Sequence, residues 1–173
     1  SQRVAKTLKT TGNAPITAPV AITDHRIFVP SEDGSLYVFT EKPSTSQVEF
    51  LGPIVAKVRS PLTGKLADAK YDWYTNYGNF AGTNSNDQQL APPLRMRWAR
   101  RLEGTVKHLP VCGAGRMYTH TAEGQIIAVE QDTGRLVWRK WWPDVYLSFT
   151  SPLYIDGKLL IPQAGMKKSF VRC

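Results

Sequence analysis

Few residues of this chain are of types that could do chemistry, and they are scattered. Histidines stand at 25, 108 and 120, and cysteines at 112 and 173. A general base needs a partner to orient it, and a metal needs several ligands at one point. His25 falls in a turn, His108 just before an apolar run, and His120 between Thr119 and Thr121, so nothing in the spacing gathers them. Each is expected to be a structural or solvent-facing histidine. The Cys112 to Cys173 spacing fits no metal-ligand pattern, and each thiol is expected to act as a small buried hydrophobe, Cys112 in an inner strand and Cys173 in a third strand. Asp24, Asp33, Asp132 and Asp156 fall at turns between apolar runs, an ordinary structural place for aspartate. No loop has the acidic density that a hard cation requires. Gly113-Ala-Gly115 lacks the third glycine and the following helix of a dinucleotide site, and there is no phosphate loop or serine elbow. No catalytic residue and no metal site are expected.

Charge is the other candidate signal. The 173 residues carry 22 Lys+Arg against 14 Asp+Glu, a formal charge of +8. Arg95, Arg97, Arg100 and Arg101 bracket Trp98, and Arg135, Arg139 and Lys140 bracket Trp138 near Trp141 and Trp142. Cations interleaved with aromatics could neutralise phosphates and stack bases. The alternation instead suits an outer strand with one packed and one solvated face, where arginine lies on a neighbouring indole. Nucleic acid is therefore not the expected partner; an anionic surface or acidic protein fits better.

The elements that position these residues read as strands. Twelve prolines and 13 glycines punctuate the chain, and no window repeats apolar positions at helical spacing. Residues 18–39 alternate short apolar runs with turns, one of them Asp33-Gly34, which predicts three antiparallel strands. The pattern returns at 109–129, with turns at Ala114-Gly115 and Glu123-Gly124, and again from 151. Pro110 to Pro152 is 42 positions, Trp98 to Trp138 is 40, and Gln125 to Ser169 is 44. A period near 40–45 made of short strands is that of a propeller blade. The expected fold is all-β: a partial propeller of four-stranded antiparallel blades.

The register breaks between the first unit and the later ones. Residues 43–90 include Pro43-Ser-Thr-Ser46, a mixed stretch from Val48 to Asp68, and a polar run from Thr75 to Gln89. The expected division is 1–42 as the end of one blade or segment, 43–90 as an irregular connection with 71–90 draped over a surface, and 91–173 as the incomplete blades of another.

Ala128-Val-Glu-Gln-Asp-Thr-Gly-Arg-Leu-Val-Trp138 resembles the tryptophan-docking motif, Ala-x-Asp-x-x-Thr-Gly-x-x-x-Trp, of the quinoprotein-dehydrogenase-like propellers. The residues that carry the match are Ala128, Thr133, Gly134 and Trp138, with Glu130 where the family has Asp. The resemblance implies that Thr133-Gly134 makes the turn and that Trp138 lies buried against the next blade, covering on the order of 200 Å². Residues 71–98 resemble the lead-in to a first blade. The class includes both quinone-dependent alcohol dehydrogenases and cofactor-free scaffolds such as the lipoprotein of the outer-membrane assembly machine.

What the resemblance implies about function follows from what is missing. A working member would carry a Ca²⁺ site, a catalytic Asp and commonly a pair of adjacent cysteines, and the chain has no Cys-Cys. The expectation is a non-enzymatic scaffold or protein-interaction module without a cofactor, periplasmic or extracellular, whose partners are another protein or further blades. The alternative is a piece of a quinone-dependent dehydrogenase binding PQQ with Ca²⁺ through residues outside this chain. No apolar stretch approaches the roughly 20 residues of a membrane span. At 40–44 positions per unit, 173 residues hold at most four blades, fewer than most closed rings use. An excerpt of a larger exported protein is expected.

Overall fold

The computed structural model describes residues 13–41, 48–50, 72–142, 145–147, 150–165 and 168–173. Much of the expected connection, including Pro43 to Ser46 and 51–71, lies outside the described residues. Thirteen strands form three sheets, and no helix is found among the described residues. The first sheet contains β1 (Ala21–Thr23), β2 (Arg26–Pro30), β3 (Ser35–Thr40), β4 (Val48–Phe50) and β5 (Arg95–Arg101), in the order β1-β2-β3-β5-β4. The second is a plain meander of β6 (Val111–Gly113), β7 (Arg116–His120), β8 (Gln125–Glu130) and β9 (Leu136–Trp141). In the third, β12 (Lys158–Gly165) pairs with β10 (Val145–Leu147), β11 (Leu153–Ile155) and β13 (Ser169–Arg172). All pairings are antiparallel except β4 with β5.

Turn chemistry explains the repeat. The first hairpin of each sheet closes on two residues with positive φ: Asp24-His25 (44° and 56°), Ala114-Gly115 (51° and 73°) and Asp156-Gly157 (46° and 75°). Two such residues make the mirror-image turn whose twist matches paired strands. The outer strands repeat a finer detail. Val38 lies opposite Trp98 and Ala128 opposite Trp138, and in both pairs the register slips by a bulge at the next step. β5 is thus the counterpart of β9. The expected break at 43–90 does not divide the sheets, because β5 from beyond it completes the sheet begun by β1 to β3.

The sheets stack through apolar faces. Phe28, Leu36, Val38 and Trp98 of the first sheet meet Met117, Ile127 and Val129 of the second in one buried cluster. The opposite face of the second sheet, Tyr118, Ala128 and Val137, meets Tyr154 of the third. Strand alternation assigns neighbours such as Met117 and Tyr118 to opposite faces, so β7 and β8 are buried on both sides. That is the layering of successive propeller blades.

The polar run at 72–90 does more than drape. Trp73 is buried, and it exchanges backbone hydrogen bonds with Cys112 of β6 at 3.0 and 2.7 Å. Tyr154 N–H of β11 donates to Tyr74 O at 2.9 Å. Farther on, Asn86 Nδ2 donates to Ile22 O at 2.7 Å, and Gln88 Oε1 accepts from His25 N–H at 3.1 Å, both at the β1–β2 end of the first sheet. The surface expectation holds for the exposed stretch 80–85 and fails at Trp73, where pairing with an otherwise open strand edge outweighs the polar composition. This segment is a strap along the first strands of all three sheets.

Candidate functional site

The motif residues build a turn with a defined job. Ala128, fully buried, lies on β8 opposite Trp138. Glu130 N–H bonds Arg135 O at 2.9 Å and Gly134 N–H bonds Glu130 O at 2.9 Å, closing the turn. The Glu130 side chain is held within the turn: Thr133 Oγ1 donates to it at 2.7 Å, and Arg135 pairs with its other oxygen. The Arg135 hydrogen bond, helped by Thr133, holds the Glu130 carboxyl below its ordinary range despite some burial.

The indole docked on this turn is Trp98. It is 3% exposed, its Nε1 donates to Gln131 O at 3.1 Å, and its ring lies flat on Gly134. A Cβ at Gly134 would come within 2.6 Å of the Trp98 ring carbons, and Gly134 also sits at a φ of +70°. Glycine is required twice over, for space and for backbone. Beside it, Asp132 accepts from Arg26 Nη2 at 2.7 Å and Arg97 Nη2 at 3.0 Å, so one carboxylate of the second sheet bridges two arginines of the first. Burial pushes the Asp132 carboxyl up, but the two arginines outweigh it and hold it low. Trp98 was visible in the sequence through its 40-residue spacing from Trp138, yet its docking partner was not.

Trp138, expected to be the buried girdle residue, is half-buried. It packs on Tyr118 at 6.1 Å, the end of a run of rings through Tyr154 and Tyr74 to exposed Phe80, with successive centroids 5.5 to 6.1 Å apart. It lines a cleft of about 970 Å³ between β9 and the third sheet. Five cationic side chains, Arg116, Arg139, Lys140, Lys158 and Arg172, border this cleft, and among the described residues no acidic side chain does. Trp142 lies between cations, with the Arg172 guanidinium 4.6 Å and Lys140 Nζ 6.0 Å from its ring. Arginine-on-indole contact of the expected kind occurs at Trp142. The remaining arginines are largely committed: Arg97 to Asp132, Arg135 to Glu130, Arg139 to Glu103 at 3.2 Å, while Arg100 is buried.

The other candidate residues stay apart. His120 is 1% exposed, its ring 5.0 Å from that of His108, and neither of its nitrogens finds a hydrogen-bond partner among the described residues. Burial, with the nearby His108, pushes its pKa down to about 3. The expectation of a satisfied or solvent-facing His120 is therefore corrected: from Met117 to His120 both faces of β7 are packed, so the His120 ring does not reach water. Cys112 is buried as expected, and burial raises its thiol pKa well above the usual value. Cys173 is exposed, because it lies past the end of β13, so the expectation of a buried thiol fails there. Asp24, Asp33, Asp132 and Asp156 all occupy turns. Among the described residues no three His, Cys, Asp or Glu side chains gather as a metal site, and no helix is long and apolar enough to cross a membrane.

Residues 94–170 match the family model described as outer membrane protein assembly factor BamB, a PQQ-like repeat. Among solved structures, BamB from Moraxella catarrhalis is similar at 16% identity and a TM-score of 0.49, covering 86% of this chain and 31% of that one. The chain thus spans about a third of the length of that relative. No curated protein matches it.

Proposed function

With residues 94–170 carrying a PQQ-like repeat, we propose that this chain is a non-enzymatic propeller scaffold, a protein-interaction module working in the cell envelope. The observation that carries the reading is the seam between the first two sheets. There Trp98 is bonded to Gln131 O, and Asp132 to Arg26 and Arg97, so these side chains are engaged across the sheets. Side chains spent on rigid packing are what a docking platform needs. The envelope location rests on the family description, outer membrane protein assembly factor. Trp138 and Arg116 are the counterparts on the second sheet of Trp98 and Arg26, and in this reading they hold a further Thr-Gly-type turn as Trp98 holds Gly134.

The test is direct. The protein is mixed with PQQ and Ca²⁺, and reduction of an artificial dye is followed with a panel of alcohols. No alcohol-dependent reduction is expected; saturable quinone binding with dye reduction would overturn the scaffold reading in favour of a quinone-dependent dehydrogenase.

A further inference from the structure

The first two sheets differ at their outer edge. In the first, β4 covers β5 as a parallel strand, Val48 opposite Ala99, Glu49 opposite Arg100 and Phe50 opposite Arg101. In the second, β9 is the last strand of the order, with no strand on its far side among the described residues. Counting from the paired tryptophans, Arg139, Lys140 and Trp141 hold the places of Ala99, Arg100 and Arg101. The clearest difference is at the middle pair: Arg100 is buried, whereas Lys140 is exposed; Arg101 and Trp141 are both exposed, Trp141 at 52%. A free edge of this kind is a template for another strand.

We infer that the β9 edge is a strand-addition site for an extended acidic segment of a partner protein, with an acidic residue opposite Lys140 and apolar residues beside it. Three observations specify this occupant. The chain covers the equivalent edge with Val-Glu-Phe, placing a glutamate opposite the equivalent cation. Beside Lys140, Lys158 and Arg172 border the adjoining cleft, and no acidic side chain among the described residues does. Trp141 is held by Nε1 donating to Glu123 O at 3.0 Å while its ring stays exposed, so this indole offers ready apolar contact. Trp98 docks on Gly134 while β4 covers β5, so an added strand and a filled Trp138 socket are compatible. The inference names the binding surface of the proposed scaffold and rests on that reading.

The probe is a blocked heptapeptide, Asp-Val-Glu-Phe-Glu-Val-Asp, titrated into the protein at low salt by calorimetry and by tryptophan fluorescence. Saturable binding is expected, weakened at least about tenfold by Lys140→Glu and by N-methylation of alternate peptide residues, which removes main-chain donors without touching charge. Arg172→Gln provides a second variant, and circular dichroism checks that each remains folded. Affinity indifferent to N-methylation would overturn the inference, since charge attraction needs no strand pairing. Tighter binding of a short oligothymidylate would replace it with a nucleic-acid site, and absence of peptide binding would show that Lys140 only guards the edge. None of these outcomes bears on dye reduction, so failure here and failure of the scaffold reading are separable.

Discussion

Trp98 and Trp138 occupy the same place in successive sheets and differ in what lies over them. Trp98 is covered by a glycine turn, and its replacement by Ala should cost about 3–5 kcal/mol by urea denaturation. Trp138, half-buried beside the cleft, should cost less than half of that; equal losses would mean that coverage does not distinguish the two. Gly134 supplies a cleaner comparison with Gly157. Both have positive φ, at 70° and 75°, but a Cβ at Gly157 meets nothing within 4 Å. Gly157→Ala should cost only the left-handed backbone penalty, about 1 kcal/mol. Gly134→Ala should cost clearly more and shift Trp98 fluorescence.

His120 makes the protein sensitive to mild acid. Its folded pKa is about 3 against an ordinary 6.5, so below pH 6.5 the unfolded chain takes up a proton that the folded one refuses. Stability is complete above about 6.5 and is lost progressively as pH falls toward 3. Between pH 7 and pH 5 the loss should be about 2 kcal/mol, read as a falling urea midpoint, and His120→Leu should flatten it. Above about pH 5.5 the carboxyls of Asp33, Glu123, Glu130 and Asp132 add little to this slope, because they are held below their ordinary values and their own losses begin near those values. The sequence showed His120 alternating with threonines. That alternation could not say where it points, because in a stacked sheet both faces are interior.

At the scale of elements, the hairpins and outer strands were legible because they are local: a two-residue turn, a bulge beside a tryptophan, a spacing near 40. The pairing of β3 with β5 was not. Val38 and Trp98 are opposite neighbours 60 positions apart, whereas Ala128 and Trp138 are 10 apart. No short-range pattern encodes a partner across an insertion of that length. The strap was hidden for a different reason: its contacts come from backbone groups and from the amides of Asn86 and Gln88, residues whose composition reads as loop. The indole of Trp73, buried in the structure, was the one signal in that stretch that could have marked an anchor, and it was not read as one. The Asp132 bridge belongs to this scale too. With Asp132 60% exposed, Asp132→Asn should cost about 0.5–1 kcal/mol, and less at 1 M NaCl; a salt-independent loss would assign its value to packing instead.

For the whole molecule, the strap predicts how the sheets open. The amides of Cys112 and Tyr154 donate to Trp73 O and Tyr74 O, so in hydrogen exchange both should be released together. Trp73→Ala should accelerate both by a similar factor while sparing the β7–β8 ladder. Independent exchange of the two amides would mean that the strap does not couple the second and third sheets.

The same insertion sets an order of events during synthesis. When β1, β2 and β3 leave the ribosome, the strand that must cover β3 is still more than fifty residues from being made. Through that interval Ser35–Thr40, buried at every position in the finished sheet, has an open side. The strap emerges next, before either β6 or β11 exists to receive it. The nascent chain therefore carries an unsatisfied apolar strand and a strap held only at its first-sheet end, the condition in which mispairing with another chain is easiest. A chaperone that holds extended segments would be needed earliest here, at the first sheet.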